Sequence, residues 1–78
     1  MKKYMVVEKF KEGLMDENYR VYNEKGRQFP EGLYYLNSWV NKEKNICFQL
    51  MESNEESLFY EWFKKWETYV DFELIPLD

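Results

Sequence analysis

Sixteen of the 78 residues are aromatic and none is alanine, so the fold must close around bulky rings without the smallest apolar side chain to fill gaps. A single core in a chain below roughly 80 residues seldom supplies more than a few kcal/mol of net stability. The one cysteine excludes an intrachain disulfide, and the absence of histidine removes the commonest metal ligand and the usual general base. Residues 1–78 are therefore expected to form one domain that packs some of its rings internally and buries others against a second copy of itself.

Eleven basic residues against fifteen acidic ones give a net charge of −4, which argues against nucleic acid as a partner, because that affinity depends on Lys and Arg neutralising phosphates. The apolar run that opens at Tyr4-Met5-Val6-Val7 is cut by Glu8 and Lys9, too short for a signal-peptide core or a membrane span. A cytoplasmic location is expected. A lone cysteine agrees with a reducing compartment.

The hydrophobic periodicity divides the chain into six elements. Residues 4–10 are β-prone, with charge only towards the far end, which predicts a strand buried on both faces for most of its length. After Gly13, the near-3.6 spacing of Met15, Tyr19, Tyr22 and Phe29, with Gly26 on the same stripe, predicts an amphipathic helix stopped by Pro30. Residues 33–41 and 46–52 read as antiparallel strands joined by the polar tetrapeptide Lys42-Glu43-Lys44-Asn45. Ser53 followed by Glu56 matches a capping box, with Asn54 as a competing cap. Leu58, Phe59, Trp62, Phe63, Trp66 and Val70 then form a double stripe wide enough to cover a sheet. Residues 71–77 alternate polar and apolar and end in an X-Pro pair, as an edge strand does.

The order βαββαβ predicts an α+β ferredoxin-like fold: right-handed crossovers place two helices on one face of a four-stranded antiparallel sheet and leave the other face open. Strict alternation puts Leu33, Tyr35, Asn37, Trp39 and Asn41 on one face of their strand and Tyr34, Leu36, Ser38 and Val40 on the other. The first set mixes aromatics with amides, so it is assigned to the open face. The carboxylate of Glu8 likewise assigns Tyr4, Val6, Glu8 and Phe10 to that face. In residues 46–52 the register leaves both phases open, and Gln49 is the polar candidate in either.

Glu8, on a mostly apolar strand, is the leading candidate for acid-base chemistry, weighed against a strand-end ion pair. Asn37, Trp39 and Gln49 offer polar and stacking contacts for a small ligand. The same positions also suit a dimer seam, for which Tyr35, Trp39 and Tyr4 are the candidates. Cys47 lacks a histidine to form a thiolate pair and reads as core. Glu8, Glu52, Asp71 and Glu73 have no spacing typical of a metal-binding loop, so no metal and no cofactor are expected. An RNA-recognition motif would require a basic residue and a glycine in residues 46–52, and a heavy-metal chaperone a CxxC in the first loop; neither is present.

Pro30-Glu31-Gly32-Leu33 running into Tyr35-Leu36-Asn37-Ser38-Trp39, the run Cys47-Phe48-Gln49-Leu50-Met51-Glu52, and the tail from Trp62 and Trp66 to Val70-Asp71-Phe72-Glu73-Leu74-Ile75-Pro76 resemble a family of short bacterial proteins known only as a domain of unknown function. That family is similar to the dimeric α/β-barrel group, in which two ferredoxin-like subunits pack sheet against sheet. The resemblance implies a homodimer. In the wider group are cofactor-independent monooxygenases, muconolactone-isomerase-like enzymes, haem-handling proteins and stress-responsive barrel proteins, often with a cavity between sheet and helices. Glu8, Asn37, Trp39 and Gln49 are the nearest equivalents here of the residues such cavities use, and the chain has no histidine to ligate haem. Three functions follow as expectations: a binding or structural module without turnover; a cofactor-independent monooxygenase- or isomerase-like enzyme with Glu8 as base; or a regulatory partner of a larger enzyme.

Overall fold

The computed structural model describes residues 1–77. Strand β1 (Lys2–Phe10) is followed by helix α1 (Met15–Lys25), strands β2 (Tyr34–Asn41) and β3 (Ile46–Ser53), helix α2 (Ser57–Trp66) and strand β4 (Val70–Leu77). The sheet order is β2-β3-β1-β4 with every pairing antiparallel, the arrangement of a ferredoxin-like α+β fold. Among the described residues no helix is long and apolar enough to cross a membrane.

The helix-covered face of the sheet carries the core. Phe59, Trp62, Phe63 and Trp66 of α2 are all buried, and each such side chain contributes roughly 1.5–3 kcal/mol relative to exposure. Phe63 stacks on Phe72 of β4 with centroids 4.2 Å apart, and Phe59 meets Tyr4 of β1 at 4.6 Å. Large rings from adjacent elements thus interlock, which is how a chain without alanine reaches close packing.

Several local expectations are corrected. Helix α1 ends at Lys25, well before Pro30, because Gly26 adopts φ 71° while its N–H donates to the Tyr22 carbonyl at 2.7 Å. Phe29 therefore lies in the connector, where its ring meets Trp62 edge-on. Ser53 is fully buried at the end of β3 and accepts from the Glu55 N–H at 3.1 Å, closing the turn before α2 instead of capping the helix, which begins at Ser57. Val70 opens β4 and is not the last turn of α2.

The face assignments change for two physical reasons. In β1 the bulky set Tyr4, Val6 and Phe10 points towards the helices, and Glu8 goes with it, leaving Met5, Val7 and Lys9 on the open side. A carboxylate had marked the wrong face as open. In β2 the pairing steps from Tyr35↔Met51 to Asn37↔Leu50, so Leu36 is an extra residue and the alternation changes phase there. Leu33 and Tyr35 before the bulge share the helix side with Ser38 and Val40 after it. Tyr34, Asn37 and Trp39 share the open side. Strand β3 turns Cys47, Gln49, Met51 and Ser53 towards the helices and Phe48 and Leu50 away.

Candidate functional site

The two helices fill their halves of the sheet unequally. The inward stripe of α1 is Met15, Asn18, Tyr19 and Tyr22, and Asn18 is the one buried residue of the helix. An amide where a large apolar residue would normally sit leaves space between α1 and the sheet. A cavity of about 190 Å³ occupies that space, bounded by β1, β3, both helices and the connector that follows α1.

Its polar end is built from three elements. Glu8 of β1 sits opposite Cys47 of β3 in the ladder. The adjacent same-face residue of β3, Gln49, donates from Nε2 to Glu8 Oε1 at 2.9 Å. Burial raises the Glu8 carboxyl from 4.5 to about 7, although hydrogen bonding from Cys47 and Gln49 and the charge of Arg27 oppose the rise. Cys47 is pushed up to about 12 by burial and by the neighbouring carboxylate, so it is a protonated thiol and no nucleophile. Two acceptors, Gln49 Oε1 and Asn18 Oδ1, are buried without a hydrogen-bond partner among the described residues. Each such group costs about 1–3 kcal/mol.

Arg27, in the connector after α1, also lines the cavity, and its charge is felt by the Glu8 carboxyl. The connector is pinned to α2: the indole N–H groups of Trp62 and Trp66 both donate to the Arg27 carbonyl, at 2.8 and 3.1 Å, and Lys65 donates to the Gln28 carbonyl at 3.1 Å. With its backbone held, the half-buried guanidinium stacks 4.1 Å from the Tyr35 ring centroid and 5.2 Å from that of Tyr22. Among the described residues no carboxylate forms an ion pair with Arg27; the ion pairs join Arg20 to Glu17 and Glu24.

The structure unites some of the candidates named from sequence and separates others. Glu8 and Gln49 line the cavity together. Asn37 and Trp39 lie on the opposite face, where Asn37 Oδ1 accepts from the Ser38 N–H at 2.8 Å beside the bulge and Trp39 is half exposed across from Phe48. Tyr4 belongs to the core against Phe59, and Tyr35 lies on the helix side with its hydroxyl 2.7 Å from Ser38 Oγ, so neither lies on the open face. Glu52, Asp71 and Glu73 share that open face, away from Glu8, and among the described residues no cluster of three acidic or cysteine ligands is poised around one point. Asn18 and Arg27 escaped the sequence reading. Asn18 was legible in principle, since with Met15, Tyr19 and Tyr22 it completes the i, i+3, i+4, i+7 pattern of an inward stripe.

No curated protein and no solved structure matches the chain. A family model does, over residues 2–77, from the first residue of β1 to the last of β4; its description is "Domain of unknown function (DUF3303)", and the chain belongs to that family.

Proposed function

We propose that this protein is a small-molecule-binding module that works as a homodimer, its ligand entering the cavity between α1 and the sheet and its partner covering the open face. One observation carries the binding reading: a buried carboxyl, a buried amide bonded to it and two unpartnered amide oxygens all belong to residues around one cavity. Structural polar clusters normally satisfy themselves, and dry cavities are normally apolar. A polar cluster left incomplete beside space suits a ligand that completes it.

The three tryptophans make the test direct, because Trp62 and Trp66 border the cavity and Trp39 lies on the far face. Phenol titrated into ¹⁵N-labelled protein is expected to move the Gln49 side-chain amide and the Trp66 indole resonances while leaving the Trp39 indole in place. Silence at Gln49 and Trp66 with both phenol and toluene would remove the binding reading.

Self-association is supported by the open face, where Trp39 and Phe48 pair across strands and Ile75 is exposed on the edge strand. Met5, Val7 and Leu50 lie between them. A row of this kind is suited to a second sheet. Sedimentation at micromolar concentration is expected to give a dimer, and the Trp39→Glu, Phe48→Glu double variant a folded monomer. A monomeric wild-type protein would end this part of the reading.

A second reading, a cofactor-independent enzyme, is favoured by one observation, the elevation of Glu8 to about 7, where a general base works best at neutral pH. Asn37 has no part in it, and the Gln49 N–H is already given to Glu8. Deuterium uptake at carbon in a cyclic ketone probe, present with wild type and lost in Glu8→Gln, supports turnover; no uptake leaves the binding module.

A further inference from the structure

The geometry points to a ligand of one chemical class: a single aromatic ring carrying an amino or hydroxyl donor for the buried amide oxygens and a carboxylate for Arg27. This rests on the reading of the cavity as a small-molecule site and specifies what that site takes.

Size comes first. A cavity of about 150 Å³ admits benzene, and this one, at about 190 Å³, takes one ring with small substituents. The walls are flat and aromatic, including Phe10, Tyr22, Trp66 and Phe72, which favours a planar occupant.

Two buried amide oxygens of the cavity residues lack a donor. One Gln49 N–H is given to Glu8, which Cys47 also hydrogen-bonds, and Gln49 Oε1 and Asn18 Oδ1 are left to be satisfied. Only N–H or O–H groups on the ligand relieve them. A plain hydrocarbon leaves the amide oxygens dry, and a second carboxylate would set an anion against the two amide oxygens and the Glu8 carboxyl. Arg27 is the reverse. Arg27 presents a planar fork of donors that no carboxylate in the described residues takes up, its orientation fixed by the Tyr35 ring beneath it and by the indole bonds to its own carbonyl. Such a fork matches a carboxylate in two-point contact and repels a simple amine. A donor for the amide oxygens and a carboxylate for Arg27 is the combination that satisfies both.

The test uses three probes that differ in one group each: 4-aminobenzoate, benzoate and aniline, titrated by NMR into the full-length protein. In wild type, 4-aminobenzoate is expected to bind at least about tenfold more tightly than either of the others, a difference corresponding to one good polar contact from each substituent. Arg27→Gln is expected to erase its advantage over aniline, and Arg27→Lys to retain part of it. Asn18→Leu is expected to erase its advantage over benzoate. An unmoved Trp39 indole resonance certifies that each variant is folded. If benzoate or aniline matches 4-aminobenzoate in wild type while moving Gln49 and Trp66, the ligand class is wrong and the cavity reading stands. If none of the three moves those resonances, the ligand class falls, and the phenol and toluene titrations decide the cavity reading. Unchanged affinities in Arg27→Gln would overturn the role of Arg27.

Discussion

Helices α1 and α2 lie on the same face of the same sheet, yet α2 meets it with four buried aromatic residues and α1 with one buried asparagine. The α2 half is a continuous stack of rings reaching into β1 and β4. Under the α1 half lie the cavity and every buried polar side chain except Ser53. Stability and recognition are thereby divided between the helices: one closes the core of a small domain, and the other is released from that task and can hold a polar site.

The largest consequence is an asymmetry in mutational cost. Phe59→Ala removes a ring with no exposed surface, and losses of this kind are about 3–5 kcal/mol, a large share of what a domain of this size possesses. Tyr19→Ala on α1, where the ring is 38% exposed, is expected to cost about 1 kcal/mol or less. Urea unfolding of the two variants measures the difference directly. Comparable losses would mean that α1 carries as much of the core as α2.

Next in size is a pH dependence confined to the α1 half. Glu8 has a raised pKa in the folded protein, about 7 against 4.5. Between those values the folded state retains a proton that the unfolded chain has released. The stabilisation associated with Glu8 is complete below pH 4.5 and is lost as pH rises through about 7, with a total change of about 3 kcal/mol for a shift of this size. Glu8→Gln keeps the shape and removes the titration. The variant is expected to show a flatter pH profile and to be the more stable protein at about pH 8. An unchanged slope between pH 5 and 8 would locate the titration elsewhere.

The same division explains what the sequence disclosed. The strands and α2 were legible because their signals are periodic and strong: alternation in residues 71–77, and the double stripe from Leu58 to Trp66. The faces were less legible, because alternation propagates any local error along a strand. One extra residue at Leu36 puts Tyr35 on the helix side while Trp39 stays on the open face, although strict alternation places them together. In β1 the charge of Glu8 points by itself to an open face, whereas the residue belongs to a polar cluster buried under α1. Gln49 and Glu8 were recognised as polar residues in apolar strands. Their meeting depends on the pairing of β1 with β3, which no local pattern encodes. Arg27 gave no signal at all, since its place is set by two indole bonds from a helix more than thirty residues further along.

The smallest expected effect is the one that separates the two helices most cleanly. Asn18→Leu removes an unpartnered buried oxygen, places apolar volume beside the cavity and substitutes a better helix former. All three changes act in the same direction, and the variant is expected to gain about 1 kcal/mol of stability. A polar residue retained for packing alone would give the opposite sign, because its removal would break a satisfied contact. A gain in urea unfolding, together with weaker binding of 4-aminobenzoate, would mean that α1 keeps a destabilising asparagine where α2 keeps a ring, and that the reason lies in what occupies the cavity. A loss of stability would instead make Asn18 a structural residue and return α1 to the same role as α2.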